Sequence, residues 1–409
     1  MPRVNRKRRR SPAPEMHRNN RYKESPPDFS LLASLYPSFS PYLIFPSSSD
    51  RPTIDFTDFS ATRELTRVLL LHDHGVNWWV PDGQLCPTVP NRSNYIHWIG
   101  DLLSSNLIPA IRDSDSNSEK PVHGFDIGTG ANCIYPLLGA SLLGWSFVGS
   151  DVTEVALEWA RKNVESNPHI LHLIEVRDAR KSESLDGDEF ASTSVPSDHV
   201  LVGVVKEGER FDFCMCNPPF FESIEDAGLN PKTACGGTWE EMVCPGGEQA
   251  FVSRIIEDSV SLKHSFRWFT SMVGRKVNLK FLISKIREAR ATVVKTTEFV
   301  QGQTSRWGLA WSFLPPKRNL ISPNAPIKTN FSFMLEGLPR KAGAFQVLKS
   351  VETFFFSTGA SCKSDMTSFS VNVTLSDEQT GKMLNDGTKR NWPDILDSAV
   401  DGLSFHITV

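Results

Sequence analysis

The sequence predicts an α/β fold: a mostly parallel sheet with helices on both faces, preceded by a basic arm and followed by a small α+β appendage. Three observations predict it. Between residues 122 and 313, short apolar runs alternate with segments whose apolar residues recur at helical spacing, the pattern of successive β and α units. Two of those runs end in turns that carry polar side chains, Asp126-Ile127-Gly128-Thr129-Gly130 and Asn217-Pro218-Pro219-Phe220. Finally, 409 residues with 39% hydrophobic and 22% charged content suit a full catalytic domain plus something smaller.

The elements follow in order. Residues 1–27 are basic, polar and Pro-rich, and are expected to be a disordered arm. Residues 28–314 are expected to form the main domain. Within it Pro26 to Pro52 reads as irregular, and Asp58 to His72 as a helix capped by Asp58 or Ser60. Pro81, Pro87 and Pro90 argue against a regular element before Asn94, where a helical pattern resumes through Tyr95, Trp98, Ile99 and Leu102. Arg92 falls at the start of that helix, where an arginine can clamp a carboxylate or phosphate. Strands are expected at Val122 to Ile127, Trp145 to Gly149 and Leu171 to Val176, with helices at Ile134 to Leu143 and Glu154 to Ser166 between them. Phe211 to Cys216 is a fourth strand, bulky and apolar, which the Pro-Pro pair must end because proline supplies no ladder donor. Glu222 to Gly247 holds five glycines and reads as a loop able to cover a site. Helix, strand, helix and two strands follow, at Glu248 to His264, Phe266 to Val273, Leu279 to Ile286, Thr292 to Val300 and Leu309 to Phe313. A Pro/Asn/Ser-rich linker over 315–329 leads to the appendage, 330–409, with a helix near Gly343 to Phe354 and β-like runs at Asn330 to Leu335 and Ser368 to Leu375.

Composition excludes several classes. No run of 18 apolar residues occurs, so no membrane span is expected, and the N-terminus lacks the apolar stretch of a secretory signal. Seven cysteines at irregular spacing fit a reducing compartment, and no Cys/His set has zinc spacing, so no metal is expected. The net charge of −3 hides an asymmetry. Residues 1–23 carry nine Lys/Arg against Glu15 alone, leaving 35 basic and 46 acidic residues beyond. A basic arm on an acidic body suits phosphate binding and nuclear import, and Arg6 to Arg10 has the look of a nuclear localisation signal. A solvated tail is the bland alternative.

The chemistry concentrates at strand ends, where open parallel sheets bind ligands. Gly128 and Gly130 let backbone approach a ligand, Asp151 can accept from both hydroxyls of a ribose, and Asn217 ends the strand expected beside the first. Position 133 is Cys, so the dinucleotide fingerprint is incomplete. S-adenosylmethionine fits better than NAD, because its carboxylate suits Arg92 and it has no pyrophosphate. An amide beside a ring, as at Asn217 and Phe220, suits a flat, amino-bearing substrate. The amide oxygen and the Pro218 carbonyl can accept both N–H bonds and aim the nitrogen lone pair, so positioning supplies most of the rate.

Asn19-Asn20-Arg21-Tyr22, Pro26-Pro27-Asp28-Phe29, Val89 to Arg92, Asn94 to Trp98, Asp126 to Ala131, Cys133 to Ala140, Phe211 to Phe221, Gln301-Gly302 and Arg306-Trp307 occur in that order. This set resembles the methyltransferase-like protein 16 family, U6 small nuclear RNA adenine-N6 methyltransferases related to bacterial ribosomal RNA enzymes. The resemblance covers about residues 16–314. It implies a class I Rossmann-like fold, S-adenosylmethionine contacts at Arg92, Gly128, Asp151, Asn217 and a loop residue matching Ser182, and an adenine clamp of Asn217, Pro218, Pro219 and Phe220. It further implies RNA contacts at Arg18, Arg21, Lys23, Arg275, Lys276 and Arg306. The implied partners are U6 small nuclear RNA and structured mRNA, and the implied compartment is the nucleus; nothing specifies a protein partner. Two other readings stay open at this point. A protein-glutamine methyltransferase would also use an Asn-Pro-Pro turn, though the basic arm and Phe220 weigh against it. A non-catalytic RNA-binding or splicing factor could keep the fold.

Overall fold

The computed structural model describes residues 16–47, 51–105, 107–110, 121–180, 199–227, 236–301, 304–317, 344–357, 359–365, 370–375 and 403–408. The chain divides into two compact units, Met1–Leu320 and Ile321–Val409.

The described part of the arm is folded, against the expectation of disorder through residue 27. Arg21–Lys23 is a 3₁₀ turn capped by the Asn20 side chain, and Tyr22 is buried with its hydroxyl donating to Asp73 at 2.8 Å. A short helix α1, Phe29–Leu35, follows within the stretch read as irregular, and Asp28 caps it by accepting from the Leu31 N–H. Charge and proline content hid both, because a few caps and one buried ring suffice to order so short a segment. The Arg6 to Arg10 cluster lies outside the described residues.

Helix α2, Phe59–His74, is capped by Asp58 as expected and ends at Gly75 in the left-handed conformation. Helix α3, Val89–Ser104, starts five residues before the expected point. Pro90 lies in its first turn, where the missing N–H would have no partner anyway, so it begins the helix rather than excluding it. Strand β1 (His123–Ile127), α4 (Ile134–Leu143), β2 (Ser146–Asp151), α5 (Glu154–Glu165), β3 (Ile174–Asp178) and β4 (Phe211–Cys216) follow as alternating units. Two four-residue helices, α6 (Ile224–Ala227) and α7 (Trp239–Met242), precede α8 (Gly247–Ser261). Then come β5 (Phe266–Val273), α9 (Lys276–Glu288), β6 (Val293–Gln301) and β7 (Thr304–Ser312).

The seven strands order as β3-β2-β1-β4-β5-β7-β6. Strands β3 to β5 are parallel, while β7 runs antiparallel to both β5 and β6. The topological switch therefore lies between β1 and β4, and the carboxyl ends of these two strands carry Gly128 and Asn217. One face of the sheet buries Phe147, Phe213, Met215 and Trp268 under α2, α3 and α4. The other buries Phe125, Phe211, Cys214 and Phe269 under α8 and α9. Gly124 is required here: a Cβ would stand 2.4 Å from the Phe213 ring and 2.9 Å from that of Phe147.

In the second unit, α10 (Ala344–Ser357) accompanies a three-stranded antiparallel sheet of β8 (Ser361–Asp365), β9 (Ser370–Leu375) and β10 (Leu403–Thr408), ordered β10-β9-β8. Leu348, Ala360, Val371 and Val373 form its core. The β-like run at Asn330 to Leu335 lies outside the described residues.

Candidate active site

The site is built at the strand ends flanking the switch point. The turn after β1 carries Gly128 and Gly130 at φ values of 69° and 64°, which L side chains rarely adopt. Nothing lies within 4 Å of where a Gly128 Cβ would stand, so this turn leaves an open cradle. Cys133, the position that breaks the glycine fingerprint, adopts the left-handed conformation itself, φ 47°, at the N-terminus of α4. The backbone geometry a glycine would supply is therefore present.

Helix α3 is pinned against β4 and β5 by a chain of hydroxyls. Thr270 Oγ1 donates to the Cys214 carbonyl at 2.8 Å, and the buried Tyr95 hydroxyl bonds Thr270 Oγ1 at 2.8 Å. Burial pushes the Tyr95 phenol well above its ordinary range, so it stays a neutral donor. Arg92, one turn earlier, places its guanidinium against Tyr135, bonding its hydroxyl at 3.0 Å. From the other side Asn20 Nδ2 donates to the Pro90 carbonyl and to Asn94 Oδ1, both at 2.8 Å, so the arm braces the turn that presents Arg92.

Asp151 ends β2. Its Oδ2 accepts from the Gly130 N–H at 2.9 Å, and its Oδ1 accepts from the Val152 and Thr153 N–H groups at 2.8 and 3.0 Å and from Thr153 Oγ1 at 3.2 Å. Burial raises its pKa against the pull of these donors. Asp126, inside β1, is pushed by burial up to about 7.

After β4, Asn217 to Phe220 turn away from the sheet. Phe221 donates to the Met242 carbonyl and accepts from the Cys244 N–H, so residues 242–244 pair back onto the turn. Part of the loop expected to cover a site thus lies across it. The Phe220 ring is held on two sides: the Arg306 guanidinium stands 5.0 Å from its centroid, and along the ring edge a Cβ on Gly274 would reach 2.7 Å from Cδ1. Glu248, buried at the start of α8, holds that wall in place. Its carboxylate accepts from the Gly274 and Arg275 N–H groups and from Asn278 Nδ2, capping α9.

Several buried polar atoms here have no hydrogen-bond partner of normal geometry among the described residues: Arg92 Nε, both carboxylate oxygens of Asp126, Asn217 Oδ1 and Glu241 Oε1. Each orphaned buried group costs about 1–3 kcal/mol. Such a group persists where a ligand supplies the missing partner. The set combines a cation, anionic acceptors and an amide oxygen around an open glycine turn, which fits a zwitterionic adenosyl cofactor and an amino-bearing base beside it.

Residues 10–315 match a protein family described as RNA methyltransferase. The chain belongs to this family. It is 42% identical over 331 residues to the U6 small nuclear RNA (adenine-(43)-N(6))-methyltransferase of Dictyostelium discoideum, covering 77% of this chain and 58% of that protein. Among solved structures, it resembles the human METTL16 catalytic domain in complex with the MAT2A 3′UTR hairpin 6, with TM-score 0.61 and 39% identity over 73% of this chain and 98% of that one. The human METTL16 N-terminal domain in complex with SAH gives TM-score 0.58 and 40% identity, over 73% and 99%. The fold is that of the class I methyltransferases. The chain spans less than three fifths of the length of the first curated relatives it matches.

Asn217, Pro218, Pro219 and Phe220 follow β4 at the switch point, Gly128 follows β1 beside them, Asp151 reaches the same turn through the Gly130 N–H, and Arg92 reaches α4 through Tyr135. Arg306 joins them through Phe220, half-buried, its pKa lowered by burial. Arg275 and Lys276 are exposed just beyond Gly274. Arg18 and Lys23 are exposed on the arm, with Arg18 3.7 Å from Asp101. Arg21 is engaged with Asp73, at 2.9 Å to its carboxylate and 2.8 Å to its carbonyl. Ser182 lies outside the described residues. Sequence reasoning missed Tyr95, Tyr135, Glu241 and Glu248. The signal for Glu248 was present in Gly246-Gly247-Glu248, an acid at a helix start. The signal for Glu241 was the T-x-x-E pattern of Thr238 to Glu241, a helix-start capping box, although it marks a helix end and not a site. Among the described residues no group of His, Cys, Asp and Glu could hold a metal ion, and no helix is long and apolar enough to cross a membrane.

Proposed function

We propose that the chain methylates N6 of an unstacked adenine in structured RNA, using S-adenosylmethionine, with U6 small nuclear RNA as the leading substrate and structured mRNA as a second, in the nucleus. The observation that carries this reading is Asn217 Oδ1, buried and without a partner among the described residues at the carboxyl end of β4, beside the Phe220–Arg306 stack. S-adenosylmethionine supplies an electrophilic methyl group when bound. Arg92 would hold its carboxylate, and Gly128 and Asp151 its adenosyl part, with Ser182 contributing from the loop after β3. Asn217 Oδ1 and the Pro218 carbonyl accept the two hydrogens of the adenine amino group, which aims the nitrogen lone pair. Phe220 provides the flat face for the base, and the Arg306 guanidinium on its other face draws electron density from the ring, leaving the base-facing side electron-poorer. A base inside a duplex cannot reach this turn, so bulges and loops are the expected targets.

Support comes from both directions. The relatives are named for this reaction, and the basic residues Arg18, Lys23, Arg275 and Lys276 stand exposed on segments that brace the two sides of the site. The test is transfer of labelled methyl from S-adenosylmethionine to a U6 hairpin, beside the same hairpin with the target adenine paired and a glutamine-bearing release-factor protein. Label on the unpaired adenine alone is expected. Label on the protein and not on RNA would overturn the reading.

A further inference from the structure

We propose that Glu241 is a second acceptor for the ribose diol of the cofactor, completing a contact that Asp151 alone cannot make. The inference rests on the adenosyl-cofactor reading above. A ribose presents two O–H donors side by side, and both need acceptor positions. A carboxylate offers about four such positions, roughly two on each oxygen. Asp151 Oδ1 already accepts from three protein donors, and Oδ2 from the Gly130 N–H. Oδ1 is thus crowded beyond its share, and the one position left is on Oδ2.

Glu241 supplies the other. Its Oε2 is fully used, accepting from the Leu85 and Thr238 N–H groups, each at 2.9 Å. Its Oε1 is buried and has no partner among the described residues. That oxygen faces the same glycine: a Cβ on Gly130 would stand 3.5 Å from it. The two vacant acceptor positions, Asp151 Oδ2 and Glu241 Oε1, therefore flank Gly130 from two different segments of the chain. Burial, with Asp151 close by, raises the Glu241 pKa, as expected of two carboxylates awaiting shared donors. Neutral hydroxyls suit this pair, since they donate to it without adding charge to the buried site. The capping box at Thr238 holds Glu241 rigidly, and the pairing of Phe221 with Val243 ties the same segment to the Asn217 turn. Cofactor binding at the ribose is thereby linked to the strand that frames the base.

The test is a ligand–mutant cycle on the full chain. Glu241→Gln preserves size, and its amide oxygen is claimed by the Leu85 and Thr238 N–H groups, so its NH₂ is left facing the ribose, a donor where an acceptor is needed. Calorimetry measures S-adenosylhomocysteine and its 2′-deoxy and 3′-deoxy analogues against wild type and variant. The variant should bind S-adenosylhomocysteine about tenfold more weakly, as for one lost hydrogen bond of about 1.4 kcal/mol. One deoxy analogue, which has already lost the partner hydroxyl, should bind both proteins alike. An equal loss for all three probes, or no loss for any, overturns the Glu241 role while leaving the cofactor reading intact. Failure of the wild-type chain to bind any of the three overturns both. A urea melt of the variant confirms that the comparison is between folded proteins.

Discussion

Gly274→Ala probes the wall behind the base-binding ring. A Cβ there would stand 2.7 Å from Phe220 Cδ1, 3.2 Å from its Cε1 and 2.9 Å from Glu248 Oε2. Glu248 cannot yield without releasing the Gly274 and Arg275 N–H groups at the start of α9, so the ring must move. Overpacking of this kind costs about 1–3 kcal/mol of stability. The functional cost is separate. A ring pushed off its place loses its stack on Arg306 and its contact with the base, and base–aromatic stacking is worth about 1–3 kcal/mol. At 1.4 kcal/mol per factor of ten, kcat/KM for RNA should fall roughly tenfold to a hundredfold. Initial rates of methyl transfer to a U6 hairpin measure this, urea unfolding measures the stability term, and calorimetry with S-adenosylhomocysteine should find cofactor affinity unchanged. A kcat/KM equal to that of wild type, or a cofactor-affinity loss as large as the RNA effect, would refute the reasoning.

Asp126 gives a pH signature in the cofactor-free chain. Its pKa is raised from an ordinary 3.8 to about 7, so between these values the folded chain holds a proton that the unfolded chain does not. Stability from this group is present in acid, falls as pH rises through that window and levels above it, by up to about 4 kcal/mol. Asp126→Asn should remove the decline in urea midpoint between about pH 4 and about pH 7; a decline as steep as in wild type would exclude Asp126 as its source. For the arm, the packing of Tyr22 and Asn20 means that a deletion through residue 23 would also disturb α3. Removing residues 1–15 alone should weaken RNA binding and flatten its salt dependence while leaving cofactor affinity intact, measured by binding isotherms at several salt concentrations. An unchanged salt slope would show that these residues make no phosphate contacts.

The alternating core was legible because its residues obey one period at a time. Ile134–Leu143 matches its expected bounds, and Phe211–Cys216 ends where the proline pair must end it. The errors have physical causes. Pro90 reads as a breaker from its residue type alone, yet it occupies the one turn of a helix that tolerates it. Strand β7 begins at Thr304, five residues before the expected Leu309, because hydrogen bonding to β6 and β5 carries polar residues into the ladder. Of the site, the strand-end residues Gly128, Asp151 and Asn217 were readable from their turns. Glu241 was not, because its role depends on a loop that returns to Phe221 over a distance no local pattern encodes.

The central claim is that Asn217 presents an adenine amino group for methyl transfer. Nucleoside digestion and mass spectrometry of a U6 hairpin incubated with S-adenosylmethionine test it most directly, comparing wild type with Asn217→Ala. The wild-type chain should yield N6-methyladenosine at an unpaired adenine, and the variant should form it about a hundredfold more slowly or worse. N6-methyladenosine formed at the same rate by both proteins, or a methyl group carried on any other atom, would contradict the account.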